Sequence, residues 1–308
     1  MELDLITSTA ARALAFSTPL LWAALGEIYA ERAGVVNLGV EGMMILGAVL
    51  GFIVGQTTGE PYLALLVAAG VGGAAGFVHA FISITLRANQ YVSGLAITIF
   101  GLGLSGLLGR NYVGVPLRGA MQRVDLPLLS DIPLLGSAFF SGQYVITYLG
   151  LLVALLLWFI LYYTRLGMVL RTVGESPVAA DVAGISVSRI RYLAVTFGGV
   201  MAGVAGGYLS LAYRPSWGEN MTGGMGWIAL ALAIFALWDP LRAVGAAFLF
   251  GAFFTLSFRL QTYFAPELLT LMPYVFTIVA LVFVALGKGG RAFGAPEALG
   301  QPYSRGER

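Results

Sequence analysis

The 308-residue chain contains no cysteine and one histidine, so neither a disulfide framework nor a Cys- or His-based metal cluster can be built from it. Charge is scarce too. Only 10% of residues are charged, and a formal net charge of +2 is too small to point to nucleic acid. No G-x-x-x-x-G-K-[ST] phosphate loop is present, because Gly287-Lys288-Gly289 lacks the spacing and the hydroxyl residue. A G-x-S-x-G nucleophile elbow is also missing. No catalytic residue, metal or cofactor is therefore expected, and any ATP chemistry that powers this protein must sit on another chain. The opening residues MELDLITS carry two acids and no basic run, which predicts no cleavable signal peptide.

What the chain has in abundance is apolar length. At 58% hydrophobic residues and a mean hydropathy of +0.87, it falls outside the range of soluble domains and reads as an all-α polytopic membrane protein. Nine spans are predicted: Ala10 to Tyr29, Val35 to Gln56, Tyr62 to Leu86, Tyr91 to Leu108, Tyr144 to Thr164, Ile190 to Tyr213, Gly224 to Trp238, Ala243 to Phe264 and Glu267 to Leu286. The seventh is short for a straight crossing and the second is polar and glycine-rich at its start, so either can be a broken or re-entrant helix. Basic residues set the orientation. With the stretch 165–191 in the cytoplasm, only Arg110, Arg118, Arg123 and Arg214 fall outside, while Arg32, Arg87, Arg165, Arg171, Arg189, Arg191, Arg242, Lys288, Arg291, Arg305 and Arg308 fall inside. Arg12 and Arg259 lie near outer helix ends, where they can snorkel. Residues 1–286 form the transmembrane domain on this reading, and 287–308, rich in Gly, Pro and charge, form a flexible cytoplasmic tail.

The long connection Gly109 to Gly142 holds Pro116, Pro127 and Pro133 and can fold over the outer mouth. A weak echo links Gly42-Met43-Met44-Ile45-Leu46-Gly47-Ala48 to Gly224-Met225-Gly226-Trp227-Ile228-Ala229-Leu230. In the topology above the two copies run oppositely, as inverted repeats would, and such repeats place a path at their interface. Glycine runs 70–76 and 198–207 read as close helix packing.

Polar residues at membrane depth are the candidates for a translocation path, because each is costly there. Glu41 stands among Asn37, Gly39 and Gly42, which permit an unwound helix start, and Glu27 precedes it; an interfacial ion-pair cluster of Glu27, Glu31 and Arg32 is the competing role. Asn89, Gln90, Ser93 and Thr98 follow at an inner turn, and Asn220, Thr222 and Trp227 at an outer one. Amides and hydroxyls beside an aromatic suit a neutral polyhydroxylated or heterocyclic solute better than an ion. Helix capping competes with that role at each of these positions, and His79 is read as a hydrogen-bonding residue rather than a proton relay. In the polar stretch 165–191, Ser176 is an N-cap candidate, Pro177 fits the first helical position and Gly184 fits a left-handed cap. That predicts a two-turn helix whose small residues let another protein approach closely.

Three stretches resemble one family, the membrane subunits of bacterial ABC importers in the branched-chain amino acid, ribose and nucleoside permease group. They are GEIYAERAGVVNLGVEGMMILGA (26–48), NQYVSGLAITIFGLGLSGLL (89–108) and VGESPVAADVAGISVSRIRY (173–192). The blocks are similar to the smaller permease of the simple-sugar and nucleoside branch. The resemblance implies a bacterial cytoplasmic-membrane protein that forms half of a path with a second, related permease. A cytoplasmic ATPase would bind the ATP and an extracytoplasmic substrate-binding lipoprotein would deliver solute. It also implies that the helix beginning at Pro177 is a coupling helix docked on the ATPase, with Gly174, Pro177, Ala180, Gly184 and Ile185 matching the family pattern and Glu175 beside them. Nucleosides are the first expected substrate, simple sugars the second and branched-chain amino acids the third. A stand-alone ion- or proton-coupled carrier using Glu27 and Glu41, and a structural membrane protein without a path, are the readings from other classes.

Overall fold

The computed structural model describes residues 2–261, scattered positions between 264 and 286, and 295–305. The helices are α1 (Glu2–Arg32), α2 (Val40–Thr58), α3 (Pro61–Ala80), α4 (Gln90–Gly109), α5 (Val145–Tyr163), α6 (Arg165–Glu175), α7 (Pro177–Val182), α8 (Val187–Tyr208), α9 (Met225–Phe235) and α10 (Pro240–Leu260). Short π-helical turns extend α3 over Phe81–Thr85 and α8 over Leu209–Tyr213. The chain is an all-α polytopic protein, with seven helices among the described residues long and apolar enough to cross a membrane. The expected seventh span is different. It contains α9, whose 11 residues give about 16 Å at 1.5 Å per residue, roughly half of the ~30 Å hydrocarbon core. The expected ninth span, 267–286, lies mostly outside the described residues.

Helix starts follow local chemistry. Asn89 Oδ1 accepts from the amides of Tyr91 and Val92, and Asp239 Oδ1 from those of Leu241 and Arg242, ahead of Pro240 at the first position of α10. At the centre of the bundle α8 packs against α1, α2 and α3 with backbone on backbone, as its glycines foretold. A Cβ on Gly206 would stand 1.8 Å from the Met44 carbonyl oxygen of α2, and one on Gly203 2.2 Å from the Ala68 carbonyl oxygen of α3. Lipid supplies no hydrophobic drive between helices, so this van der Waals contact is a main source of their cohesion.

At one end of the bundle, residues 110–142 fold over the helix ends. The antiparallel pair β1 (Arg123–Val124) and β2 (Gln143–Tyr144) closes this connection, and its backbone bonds Leu211 and Pro215 beyond α8. Gly109 lies directly against the buried indole of Trp217. The opposite end gathers α6, α7, the turn after α3 and the C-terminal residues. Against the expectation of a flexible tail, residues 295–305 are docked there: Ala298 N donates to Gly174 O at 3.0 Å, Gly300 N to Gly34 O at 3.2 Å, and Arg305 pairs with Asp181 at 3.3 Å. Backbone hydrogen bonding, which composition does not encode, holds this segment in place.

Close packing of α8 makes a matched pair of variants decisive. Gly206→Val forces α8 away from α2 and is expected to destabilise the protein by about 1–3 kcal/mol or more. Gly70→Ala, where nothing stands within 4 Å of the new methyl, is expected to be neutral or stabilising by up to about 1 kcal/mol. Thermal unfolding in detergent reads the contrast, and equal melting temperatures would contradict this packing.

Candidate functional site

Between α1 and α2 the chain leaves the helix for residues 33–39, with Gly34 at φ +86°. Irregular backbone at membrane depth persists only where protein groups satisfy it. Here they come from three helices. Arg191 Nε of α8 donates to Ala33 O at 3.1 Å, and Val36 N donates to Gln90 Oε1 of α4 at 2.8 Å. His79 Nε2 of α3 lies 3.0 Å from Val36 O, and its Nδ1 lies 3.0 Å from Ser93 Oγ of α4. A carbonyl only accepts, so Nε2 carries the proton. Thr98 Oγ1 donates to Leu38 O at 2.9 Å. Asn37 closes the turn, accepting from Gly39 N at 3.0 Å while its Nδ2 donates to Glu27 Oε1 at 3.0 Å.

The break delivers Glu41 to the start of α9. Thr222 Oγ1 donates to its Oε1 at 2.5 Å, Gly224 N to Oε1 at 2.9 Å and Gly226 N to Oε2 at 2.7 Å. Glu41 is only 2% exposed, and its carboxyl group takes the place of water in satisfying the amides at the start of α9. Glycine is required at 226, where a Cβ would stand 2.5 Å from the Glu41 amide nitrogen. At the other end of α9 the chain turns through Leu237 and Trp238, both at φ +54°, a conformation costing non-glycine residues roughly 1–2 kcal/mol each. Arg32 offsets that cost: its Nε donates to Trp238 O at 3.2 Å and its NH2 to Leu237 O at 3.3 Å. Glu31 accepts from the Trp238 indole. Opposite charges flanking the α1–α2 break thus hold both ends of the half-helix.

A cavity of about 440 Å³ opens beside the α9 start, lined among others by Phe16, Arg214, Glu219, Asn220, Thr222 and Phe254. Phe16 and Phe254 stack at 3.7 Å, with 12° between their planes. Of the residues singled out in the sequence, all of Asn37, Gly39, Glu41, Ser93 and Thr222 are buried: Asn37, Gly39 and Ser93 around the 33–39 passage, and Glu41 with Thr222 at the α9 start. Asn220 reaches the cavity wall at φ +51°. Asn89 stands apart, with its side chain committed to capping α4. Glu31 and Arg32 do not pair with one another; each is used on the α9 terminus. Phe16, Phe254 and Trp238 carry no signal in the sequence, since each lies in an apolar run, and for Arg32 the sequence points to a local cluster with Glu27 and Glu31 instead.

At the α6–α7 end, Ser176 Oγ accepts from Ala179 N at 3.3 Å and Gly184 sits at φ +79°, so the short helix is capped as its residues require. Ala180 is fully buried against Val173 and Val187, with Ile185 packed alongside. Its small side chain therefore serves the interior, and the outward apolar face belongs to Val178, Ala179, Val182 and Ala183, with Val182 85% exposed. Pro177 opens α7, and Glu175, exposed, accepts from Glu297 N at 3.4 Å. Gly174 lies against the backbone of Arg32, where a Cβ would stand 2.0 Å from the Arg32 carbonyl oxygen. Gly174, in the last turn of α6 and three residues before Pro177, thus touches the residue that holds the end of α9.

Residues 9–284 match the model of the branched-chain amino acid transport system / permease component family. The chain belongs to this family. Among its relatives, the putative glucose ABC transporter permease protein TsgC13 of Haloferax volcanii is 40% identical, over 94% of this chain and 95% of its own. The guanosine ABC transporter permease protein NupQ of Bacillus subtilis is 38% identical over 96% of each chain. A second protein of that organism, the guanosine ABC transporter permease protein NupP, is 29% identical over 76% of this chain and 69% of its own. No solved structure matches. In this permease the clamp on α9 is directly testable: Glu41→Ala leaves three buried donors without their acceptor and is expected to cost on the order of 3 kcal/mol, whereas Thr222→Val costs about 1 kcal/mol. Thermal unfolding of the purified variants checks this, and a Glu41→Ala protein as stable as its parent would refute the clamp.

Proposed function

We propose that this chain is the membrane-spanning permease subunit of an ATP-driven ABC importer for nucleosides, residing in the bacterial cytoplasmic membrane. The likeness to NupQ along 96% of both chains is the observation that carries the reading. The cavity chemistry supports it, since aromatic faces beside an amide and a hydroxyl suit a heterocycle linked to a sugar. Simple sugars are the second reading, on the strength of the likeness to TsgC13.

In this proposal the path is shared with a second permease, as the presence of both NupQ and NupP in one organism supports. Nine spans arranged as inverted repeats complete the subunit; Gly226, in the second echoed segment, donates to Glu41, the residue just before the first. The ATPase docks on the outward face of α7, and the binding lipoprotein docks over residues 110–142. Closure of the ATPase displaces α7; Gly174 passes the movement to Arg32, and the guanidinium carries the end of α9 with it. Because Glu41 anchors the other end, α9 tilts as a unit and changes access to the cavity at its start. Asn37, Gly39, Glu41, Ser93 and Thr222 frame the path, Asn220 lines it and Asn89 sits at its cytoplasmic edge. Glu41 already accepts three hydrogen bonds, which commits its carboxyl group to holding the α9 start.

Proteoliposomes test this. Labelled guanosine is expected to accumulate only with ATP, the partner permease, the ATPase and the binding lipoprotein all present, and not with this chain alone. Accumulation by the lone chain would identify a carrier, and competition by glucose but not by inosine would select the sugar reading. In the complete system Val182→Asp is expected to reduce uptake at least tenfold and to weaken ATPase co-purification, with thermal stability unchanged. Uptake at the parent rate would remove α7 from the coupling interface.

A further inference from the structure

A second cavity, about 490 Å³, lies at the end of the bundle opposite α7, where α1, α10 and the end of the turn that extends α8 meet residues 123–144. Its walls carry three guanidinium groups, from Arg12, Arg123 and Arg259, and none of its described lining residues is acidic. Arg123 lies over the Tyr144 ring at 5.4 Å, and Arg259 donates to Ser8 Oγ at 3.2 Å. Gln143, 2% exposed, also lines the cavity. Its Nε2 donates to Ala11 O at 3.0 Å, but its buried Oε1 accepts nothing. Phe254 and Phe258 add an apolar wall running along α10 toward the membrane interior.

The transport reading uses Phe254, which also borders the cavity at the α9 start, but none of the arginines nor Gln143. The Arg12 and Arg123 guanidinium groups converging on one cavity repel unless an anion joins them, and arginine favours phosphate oxygens in paired geometry. An unsatisfied buried carbonyl asks in addition for a donor from the same ligand. The site lies at the ends of three spans, where headgroups and aromatic side chains share the interface. We propose that this cavity binds the headgroup of a phospholipid whose phosphate meets Arg12 and Arg123 and whose terminal hydroxyl or ammonium group donates to Gln143. Its acyl chains run along Phe254 and Phe258. A free phosphate ester shares the polar chemistry but leaves the apolar wall bare.

Native mass spectrometry of the purified full-length chain, delipidated and re-exposed to defined lipids, tests the site. Phosphatidylglycerol or phosphatidylethanolamine is expected to be retained at least tenfold over phosphatidylcholine, whose headgroup has no donor. Arg12→Gln/Arg123→Gln should erase that preference while its melting temperature in detergent stays near the parent value. Equal retention of all three lipids by the parent chain overturns the proposal without recourse to any variant, as does a double variant that keeps the preference. If glycerol phosphate at millimolar concentration displaces the lipid, the site belongs to a soluble phosphate ester and the lipid assignment fails.

Discussion

A helix that stops half-way through a bilayer leaves its last amides and carbonyls where water cannot reach them, each costing several kcal/mol if unmet. α9 is such a helix, and much of the structure around it can be understood as the means of satisfying its two ends. Glu41 accepts from Gly224 and Gly226 at one end, and Arg32 donates to Leu237 and Trp238 at the other. For both to reach, α1 and α2 must be joined by a tight non-helical passage. That passage, in turn, draws Gln90, His79, Thr98 and Arg191 into satisfying its own backbone.

The same constraint ties distant parts of the molecule into one frame. Arg32, which holds α9, lies against Gly174 of α6. Gly174 also accepts from Ala298 in the C-terminal segment, whose Gly300 bonds Gly34 of the passage. Arg191 completes the circuit, bonding both Ala33 and Gln301. A displacement at α7 therefore meets a hydrogen-bonded frame that leads to the half-helix rather than a loose loop. The C-terminal residues belong to that frame, which gives them a physical reason to be ordered.

Much of this was legible in the amino-acid sequence, and the parts that were not share a cause. Apolar runs and caps are local, so most spans, the short α7 and the small-residue packing of α8 could be read directly. Glu41 stood out because a carboxylate at membrane depth is costly, but its partners Gly224 and Gly226 lie some 180 residues away and carry no side-chain signal. Arg32 looked like one member of a local charge cluster, since nothing near it announced that it would cap a helix more than 200 residues downstream. Ala180 looked like an approach surface because small residues serve interiors and interfaces alike; only burial distinguishes them. Asn89 took the ordinary capping role of its residue type. For residues 295–305, composition spoke for flexibility while main-chain bonding decided otherwise.

Hydrogen–deuterium exchange of the full-length chain in lipid nanodiscs, followed over the peptide 222–236, tests the two-ended clamp most directly. The amides of Gly224 and Gly226, donated to a buried carboxylate, are expected to exchange as slowly as those in the middle of α2, although helix starts ordinarily exchange fast. Rapid exchange across 222–228, with α2 still protected, would mean that the half-helix is not held at Glu41 and would contradict the account.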